Sequence, residues 1–204
     1  MIVIVDYGMG NLGSIKNILH KIGVNDVEIS RDEGIIENAD KLILPGVGAF
    51  DAGMQNLEKY NLVECIQEAA VVLKKPLLGI CLGMQLLGRC SEEGKRKGLE
   101  LIPFSNQRFR LGNDYKIPHM GWNYTRIEDN SSPLVKKLDN NQRYYFVHSY
   151  HAVCDNDKNV VMSCEYGYRF AAAVSSGNIY GVQFHPEKSH QYGMWLLKNF
   201  VEEC

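Results

Sequence analysis

The sequence predicts an α/β fold: an open, mainly parallel central sheet with helices on both faces and an added antiparallel β portion in the second half. In the first half, short apolar runs alternate with amphipathic segments, as in a parallel sheet covered on both faces. Between Gly98 and Gly181 the segments are short, rich in Tyr, Phe and Val, and separated by turn residues, as in antiparallel strands. The 204 residues, 45% of them hydrophobic, suffice for one sizeable core, so we expect a single domain over 1–204.

The first half is predicted to contain four strands and three helices. Its first helix has an apolar face formed by Ile15, Ile18, Leu19 and Ile22, and it ends at Gly23. The predicted strands are Ile2–Val5, Val27–Ser30, Lys41–Leu44 and Pro76–Ile80. The predicted helices are Ser14–Ile22, Phe50–Leu73 with a break near Asn61, and Cys81–Arg89.

The second half is predicted to contain further strands and one closing helix. Each strand is a short run with aromatic or β-branched residues, bounded by turn residues. The last of them leads into a helix that extends nearly to the end of the chain. The predicted elements are the strands Arg143–Val147, Val160–Ser163, Phe170–Val174 and Asn178–Phe184, and the helix Ser189–Glu202.

Composition excludes several classes of function. The net charge of −2 offers no basic surplus for nucleic acid. The longest apolar runs are too short to span a bilayer, and the first residues lack the basic start of a secretion signal. We therefore expect a cytoplasmic protein that binds neither nucleic acid nor membrane. None of the six cysteines forms a C-x-x-C pair, so we predict no metal site. A disulfide framework is also not expected in a chain of this kind.

The stretch Gly79-Ile80-Cys81-Leu82-Gly83 carries the most information. It follows a predicted strand and opens a predicted helix, which is the nucleophile-elbow pattern with cysteine in the serine position. The helix dipole favours a thiolate, and the first backbone N–H groups can stabilise an oxyanion. A buried cysteine at a strand end is the alternative. The context favours Cys81 as a nucleophile.

A thiolate nucleophile needs a base, and His185 is the best placed of the six histidines. It follows a predicted strand, and strand ends carry the active sites of parallel sheets. Glu187 stands two residues on and can orient the imidazole, with Pro186 fixing the bend between them. Taken alone, such a pair is usually a loop histidine beside a surface acid. Together with the elbow, it predicts a Cys-His-Glu triad.

Six ordered blocks of the sequence carry a resemblance to a known family. The blocks are Asp6–Leu12, Leu44–Phe50, Gly79–Gln85, Pro118–Asn123, Phe146–Tyr150 and Gln183–Ser189. They resemble the class I (triad-type) glutamine amidotransferases, and within them the branch of glutaminase subunits of imidazole glycerol phosphate synthase. The resemblance extends over the whole chain.

The resemblance implies roles for individual residues. Cys81 would attack the side-chain amide of glutamine and form a glutamyl thioester, His185 would protonate the ammonia and then activate water, and Glu187 would orient His185. The remaining residues would bind glutamine or supply oxyanion donors, the glycines making a backbone flip easy. They are Gly46, Val47, Gly48, Leu82, Gln85, His148 and Ser149.

The resemblance also implies a partner. In that branch the glutaminase works with a (β/α)8-barrel cyclase subunit, through which ammonia reaches a ribulosyl-aminoimidazole carboxamide nucleotide. Lys188 resembles the lysine that pairs with an acidic residue of the barrel, and Asn11, Met120 and Trp122 resemble residues of the same contact. Trp122 could instead be a core residue. The resemblance implies no cofactor.

Three alternatives remain open at this point. The loop Gly8–Gly13 spells G-x-G-x-x-G between a strand and a helix, with Glu28 near the acidic position, which formally predicts a dinucleotide-dependent oxidoreductase. A binding module with an inactive site is a second possibility, although all three triad residues are present. The third is a paralogous glutaminase that supplies ammonia for amidation of a surface sugar, suggested by His190 and Gly193.

Overall fold

A computed structural model describes residues 1–204 and contains eleven strands and six α-helices. The strands are β1 (Ile2–Val5), β2 (Val27–Ser30), β3 (Lys41–Leu44), β4 (Leu77–Ile80), β5 (Phe104–Arg108), β6 (His119–Ile127), β7 (Arg143–His148), β8 (Tyr150–Cys154), β9 (Val160–Tyr166), β10 (Tyr168–Ser176) and β11 (Ile179–Val182). The α-helices are α1 (Leu12–Lys21), α2 (Glu33–Glu37), α3 (Phe50–Lys59), α4 (Leu62–Gln67), α5 (Leu82–Leu86) and α6 (His190–Glu202).

The strands form one sheet in the order β2-β1-β3-β4-β11-β10-β9-β6-β7, with β8 paired to β10 and β5 paired to β8. The pairings from β2 to β11 are parallel. Those beyond β11 are antiparallel. The predicted fold class is therefore confirmed, including the change of character in the second half.

Helices cover both faces of the parallel part. Alternate side chains of a strand point to opposite faces, and in β1 Ile2 and Ile4 belong to one hydrophobic cluster whereas Val3 and Val5 belong to the other. The first cluster takes in residues of α1 and α6, and the second takes in residues of α3, α4 and α5. No helix is long and apolar enough to cross a membrane.

The parallel arrangement determines where a site can form. Strands β1, β3, β4 and β11 run in the same direction, so their carboxyl ends meet at one edge of the sheet. The segments that follow these ends are the four glycine-rich or polar blocks identified in the sequence. The edge therefore gathers Asp6, the Pro45–Gly48 loop, Cys81 and Gln183, as expected for a site in an open α/β sheet.

Two predicted helices differ in detail from the structure. The break near Asn61 is confirmed, because Asn61 has φ 56° and separates α3 from α4, and the chain continues as a π-helical turn over Glu68–Val72. Helix α5 ends at Leu86 and not at Arg89. The Arg89 N–H donates to the Phe104 carbonyl at 2.9 Å, so the chain leaves the helix to join β5.

Four elements were not predicted. Strands β5, β6 and β8 contain polar residues on both faces, and β8 is separated from β7 by Ser149 alone, so periodicity does not reveal them. The buried polar residues of these strands include Asn106, His119 and His151. Helix α2 has only five residues and begins where the Asp32 side chain accepts a hydrogen bond from the Ile35 N–H at 3.1 Å.

Helix α6 packs so closely on the preceding turn that Gly193 is required. A Cβ atom there would lie 1.8 Å from the Pro186 carbonyl oxygen. We expect Gly193→Ala to lower the free energy of unfolding by about 1–3 kcal/mol, the range for overpacking. Gly13→Ala is the control, because Gly13 lies in α1 with no atom within 4 Å of its added Cβ. Urea denaturation of both variants checks this, and equal midpoints would contradict it.

Candidate active site

Cys81 lies on a strained turn between β4 and α5. Its φ of 54° and ψ of −108° are unfavourable for a residue with a side chain, and strain of this kind is often found at functional sites. The turn is possible because Gly83 carries no Cβ, which would stand 1.8 Å from the Leu44 carbonyl oxygen. The predicted nucleophile elbow is thus present, and it holds the thiol at the carboxyl edge of the sheet.

His185 follows β11 and contacts Glu187. Its Nδ1 lies 2.8 Å from the Glu187 Oε1, and the two side chains are only 2% and 4% exposed. Because a carboxylate only accepts, Nδ1 carries a proton. Burial disfavours the imidazolium, but the neighbouring Cys81 sulfur and the Glu187 carboxylate outweigh it and raise the pKa of His185 to about 10. The structure therefore brings the three predicted triad residues together.

The backbone of His185 is fixed to the antiparallel part of the sheet. Its N–H donates to the Tyr145 carbonyl at 2.9 Å. The Ser189 hydroxyl donates to the His185 carbonyl at 2.6 Å and accepts from the Tyr145 N–H at 3.0 Å. His185 Nε2 is buried without a well-formed hydrogen bond, so it remains available to the thiol or to a substrate. Ser189 was not identified as a site residue from the sequence.

Cys81 and His185 open onto one cavity of about 310 Å³. This volume suits a small metabolite. Six of the seven residues predicted to bind glutamine or the oxyanion lie in its wall, and the seventh, Gly46, accepts a hydrogen bond from the Leu82 N–H. The wall consists of Val47, Gly48, Cys81, Leu82, Gln85, Glu93, Pro118, Val147, His148, Ser149, Tyr150 and His185.

The Leu82 N–H, at the start of α5, is engaged by the neighbouring loop. It donates to the Gly46 carbonyl oxygen at 3.3 Å. In a planar trans peptide the N–H points opposite to the carbonyl, so the Val47 N–H is directed away from Leu82. The two donors that could form an oxyanion hole therefore do not converge in this conformation.

Two buried glutamines connect Cys81 to the cavity wall. The Gln85 Nε2 donates to the Tyr150 carbonyl and to the Gln183 Oε1, both at 3.1 Å. The Gln183 Nε2 lies 3.9 Å from the Cys81 sulfur. Gln85 was predicted from the resemblance, but Gln183 was not given a role. A fully buried amide at the end of an apolar strand is the signal that could have identified it.

Glu93 is a cavity residue for which the sequence offers no signal. Its Oε2 accepts a hydrogen bond from the Phe50 N–H at 2.7 Å, at the beginning of α3. The Glu93 carboxylate thereby anchors the far end of the Gly48 loop and places a negative charge at the cavity. Such a charge complements the ammonium group of an amino acid.

The four residues predicted to contact a partner are all at the surface. Met120 and Trp122 are 61% and 41% exposed, so Trp122 is not a core residue. Lys188 is exposed with its Nζ 5.7 Å from the Tyr145 ring centroid, and Tyr145 in turn contacts Trp122. Asn11 is exposed at the start of α1. Whether a partner binds here stays a prediction.

The features behind two alternatives have structural explanations. In the G-x-G-x-x-G loop, the Asn11 side chain accepts from the Ser14 N–H at 3.2 Å and so caps α1 itself. Gly193 is required by packing, and His190 stacks on Trp122 with ring centroids 5.4 Å apart. Nowhere do three or more His, Cys, Asp or Glu side chains converge as metal ligands would.

Comparisons with known proteins identify the family of this chain. The glutamine amidotransferase class-I family model matches residues 3–204. The imidazole glycerol phosphate synthase subunit HisH 2 of Methanococcus maripaludis is 53% identical over 204 residues, covering 100% of both chains. The subunit of the same name from Pseudomonas aeruginosa is 48% identical over 202 residues, covering 99% of each. A glutamine amidotransferase crystal structure shares the fold, with a TM-score of 0.77 at 17% identity over 99% of this chain and 98% of that one. The chain belongs to the class I glutamine amidotransferases.

Proposed function

We propose that this chain is the glutaminase subunit of imidazole glycerol phosphate synthase, and that it supplies ammonia for histidine biosynthesis. The observation that carries the proposal is the meeting of Cys81 with the His185–Glu187 pair at one small cavity. Full-length relatives at 53% and 48% identity bear the name of that subunit. The chain hydrolyses glutamine to glutamate and ammonia, and the lyase activity belongs to the complex.

The first half-reaction forms a thioester. The Cys81 sulfur attacks the side-chain carbonyl carbon of glutamine, and the carbonyl oxygen becomes an oxyanion. His185, protonated and held by Glu187, donates a proton to the amide nitrogen as the carbon–nitrogen bond breaks. Ammonia leaves, and a glutamyl thioester remains on Cys81. The raised pKa of His185 suits this step, because the imidazole begins as the acid.

The second half-reaction releases glutamate. The imidazole, now neutral, takes a proton from a water molecule as that water attacks the thioester carbonyl. The collapse of the second tetrahedral intermediate expels the Cys81 sulfur and restores the resting pair. Glu187 keeps the proton on Nδ1 throughout, so Nε2 is the nitrogen that exchanges protons with sulfur, nitrogen and water.

The cavity wall provides groups that recognise an amino-acid substrate. Glu93 offers a carboxylate for the α-ammonium group. Gln85, His148 and Ser149 also line the cavity. We propose that these groups hold glutamine with its side-chain amide toward Cys81.

The Gly46–Val47 peptide is proposed as the switch for partner activation. While the Gly46 carbonyl accepts from Leu82, it places a partial negative charge where the oxyanion must form. Rotation of this peptide would replace that carbonyl with the Val47 N–H and complete an oxyanion hole with Leu82. The isolated chain is therefore expected to be a poor glutaminase, and the partner to activate it.

The proposed partner is a (β/α)8-barrel cyclase subunit, bound as a heterodimer in the cytoplasm. The patch formed by the exposed Met120, Trp122 and Lys188 and the half-buried Tyr145 adjoins the His185 turn through the Tyr145 backbone. An interface there would close the cavity region against the partner and direct ammonia away from water.

Replacing the nucleophile separates the two ammonia sources. We expect Cys81→Ala and Cys81→Ser to lower glutamine-dependent synthesis by at least about a thousandfold, because no other thiol lies in the cavity. Synthesis from free ammonium should remain. The measurement is imidazole glycerol phosphate formation by the reconstituted complex with each nitrogen source. Near-normal glutamine turnover by Cys81→Ala would refute the mechanism.

Removing the Val47 donor tests the oxyanion switch. Val47→Pro lacks the N–H, so glutaminase turnover in the complex should fall by about a hundredfold to a thousandfold. Val47→Ala keeps the N–H and serves as the control. Steady-state kinetics with glutamine checks both variants. Equal turnover for Val47→Pro and Val47→Ala would eliminate this peptide as the donor.

Shortening Lys188 tests the interface. Lys188→Ala should weaken partner binding by about tenfold, the effect of losing one well-placed interface contact. Lys198→Ala is the control, because Lys198 is also exposed but lies on α6 in an i,i+4 pair with Glu202. Titration calorimetry gives the dissociation constants, and thermal denaturation monitors folding. If neither binding nor coupling changes in Lys188→Ala, Lys188 lies outside the interface.

A further inference from the structure

A continuous chain of hydrogen bonds runs through the buried side of the cavity wall. His148 Nδ1 lies 2.8 Å from the Tyr150 carbonyl oxygen, and His119 Nδ1 lies 3.1 Å from His148 Nε2. At the outer end, the Asn123 Nδ2 lies 3.4 Å from His119 Nε2 and 2.9 Å from the Glu165 carbonyl. Neither histidine takes part in the proposed proton transfers.

The partners fix the direction of every bond in this chain. The Tyr150 carbonyl can only accept, so His148 donates from Nδ1, and in a neutral ring its Nε2 must then accept. His119 therefore donates from Nδ1, which leaves its Nε2 to accept from the Asn123 amide. Each ring thus has a single permitted tautomer. Protonation of either ring would place two N–H donors opposite each other with no acceptor between them.

The environment keeps both rings neutral. His119 and His148 are 3% and 5% exposed. Burial lowers the pKa of His119 to about 4 and that of His148 to about 3. His119 is stacked between the rings of Phe146 and Tyr166, with centroids 4.9 Å and 4.1 Å away. The rings cannot turn without disrupting this packing.

The inner end of the chain reaches the groups around the nucleophile. The Tyr150 carbonyl that accepts from His148 also accepts from the Gln85 Nε2. Gln85 bonds Gln183, whose amide lies against the Cys81 sulfur. His148 and Tyr150 themselves line the cavity. A change at His119 is therefore transmitted to the wall that faces glutamine.

We infer that His119, acting through His148, is a positioning residue that fixes the glutamine-facing wall at His148, Ser149 and Tyr150. The inference rests on the proposed glutaminase function for its kinetic consequence. These hydrogen bonds act directly on the substrate wall and reach Cys81 only through the Gln85 and Gln183 amides, whereas β4, β11 and the Ser189 hydroxyl hold the triad. Loss of these hydrogen bonds should consequently raise the KM for glutamine much more than it lowers kcat.

Three substitutions test this inference. His119→Phe keeps the ring volume but removes the donor to a buried acceptor, so the KM for glutamine should rise about tenfold. His119→Asn places an amide N–H near the position of Nδ1 and should largely restore the wild-type KM. His151→Phe is the matched control. His151 lies in the same aromatic cluster, but its ring forms hydrogen bonds with the Tyr168 hydroxyl and the Ala152 carbonyl and takes no part in the bonds between Tyr150, His148, His119 and Asn123.

The kinetics use the full-length chain in complex with the barrel subunit. A selective KM increase in His119→Phe, its rescue in His119→Asn and its absence in His151→Phe support the inference. A wild-type KM in His119→Phe, or an equal rise in His151→Phe, overturns it. If His119→Phe does not fold, the ring tautomers of His119 and His148 in the wild-type protein decide.

A second measurement separates this inference from the proposed function. Long-range 15N NMR of the histidine rings reports tautomers without any reaction. In the wild-type chain we expect Nδ1–H for both His119 and His148, and loss of the His148 hydrogen-bond signature in His119→Phe. If His148 instead carries its proton on Nε2, the proposed series of hydrogen bonds is wrong. Absence of glutaminase activity in the wild-type complex would refute the proposed function, while the NMR result would still decide the hydrogen-bond chain.

Discussion

The close approach of helix α5 to the end of strand β3 is the constraint on which the site depends. Gly83 lies so near the Leu44 carbonyl that no side chain fits between them. At the same turn Cys81 has strained dihedral angles, and the Leu82 N–H donates to the Gly46 carbonyl. One backbone contact thus sets the relative positions of Cys81, the first turn of α5 and the Pro45–Gly48 loop.

The parallel and antiparallel parts of the sheet contribute different groups to the site. The parallel part supplies Cys81 and, through β11, His185. The antiparallel part supplies no reacting group, but it determines the shape of the cavity and holds the His185 turn through Tyr145 and Ser189. Strand β6 has two roles: it carries His119 inside, and the exposed Met120 and Trp122 outside. A single strand therefore lies between the proposed partner and the substrate wall.

The sequence allowed the fold class and the triad to be predicted because both depend on local patterns. The parallel strands are apolar runs, and the elbow is a contiguous motif between a strand and a helix. The unpredicted strands β5, β6 and β8 are stabilised by pairing with distant segments and by buried polar groups. Ser189, Gln183 and Glu93 were not predicted as site residues for the same reason, since each forms hydrogen bonds with residues far away in the sequence.

The position of β11 has a consequence for the way the enzyme is made. This strand comes from near the end of the chain, yet it is inserted between β4 and β10 in the interior of the sheet. In a chain still bound to the ribosome, Cys81 is therefore synthesised before His185, and β4 does not yet have β11 beside it. Because β11 is the last strand to be synthesised, a chain that still lacks it holds Cys81 without the His185 imidazole beside it.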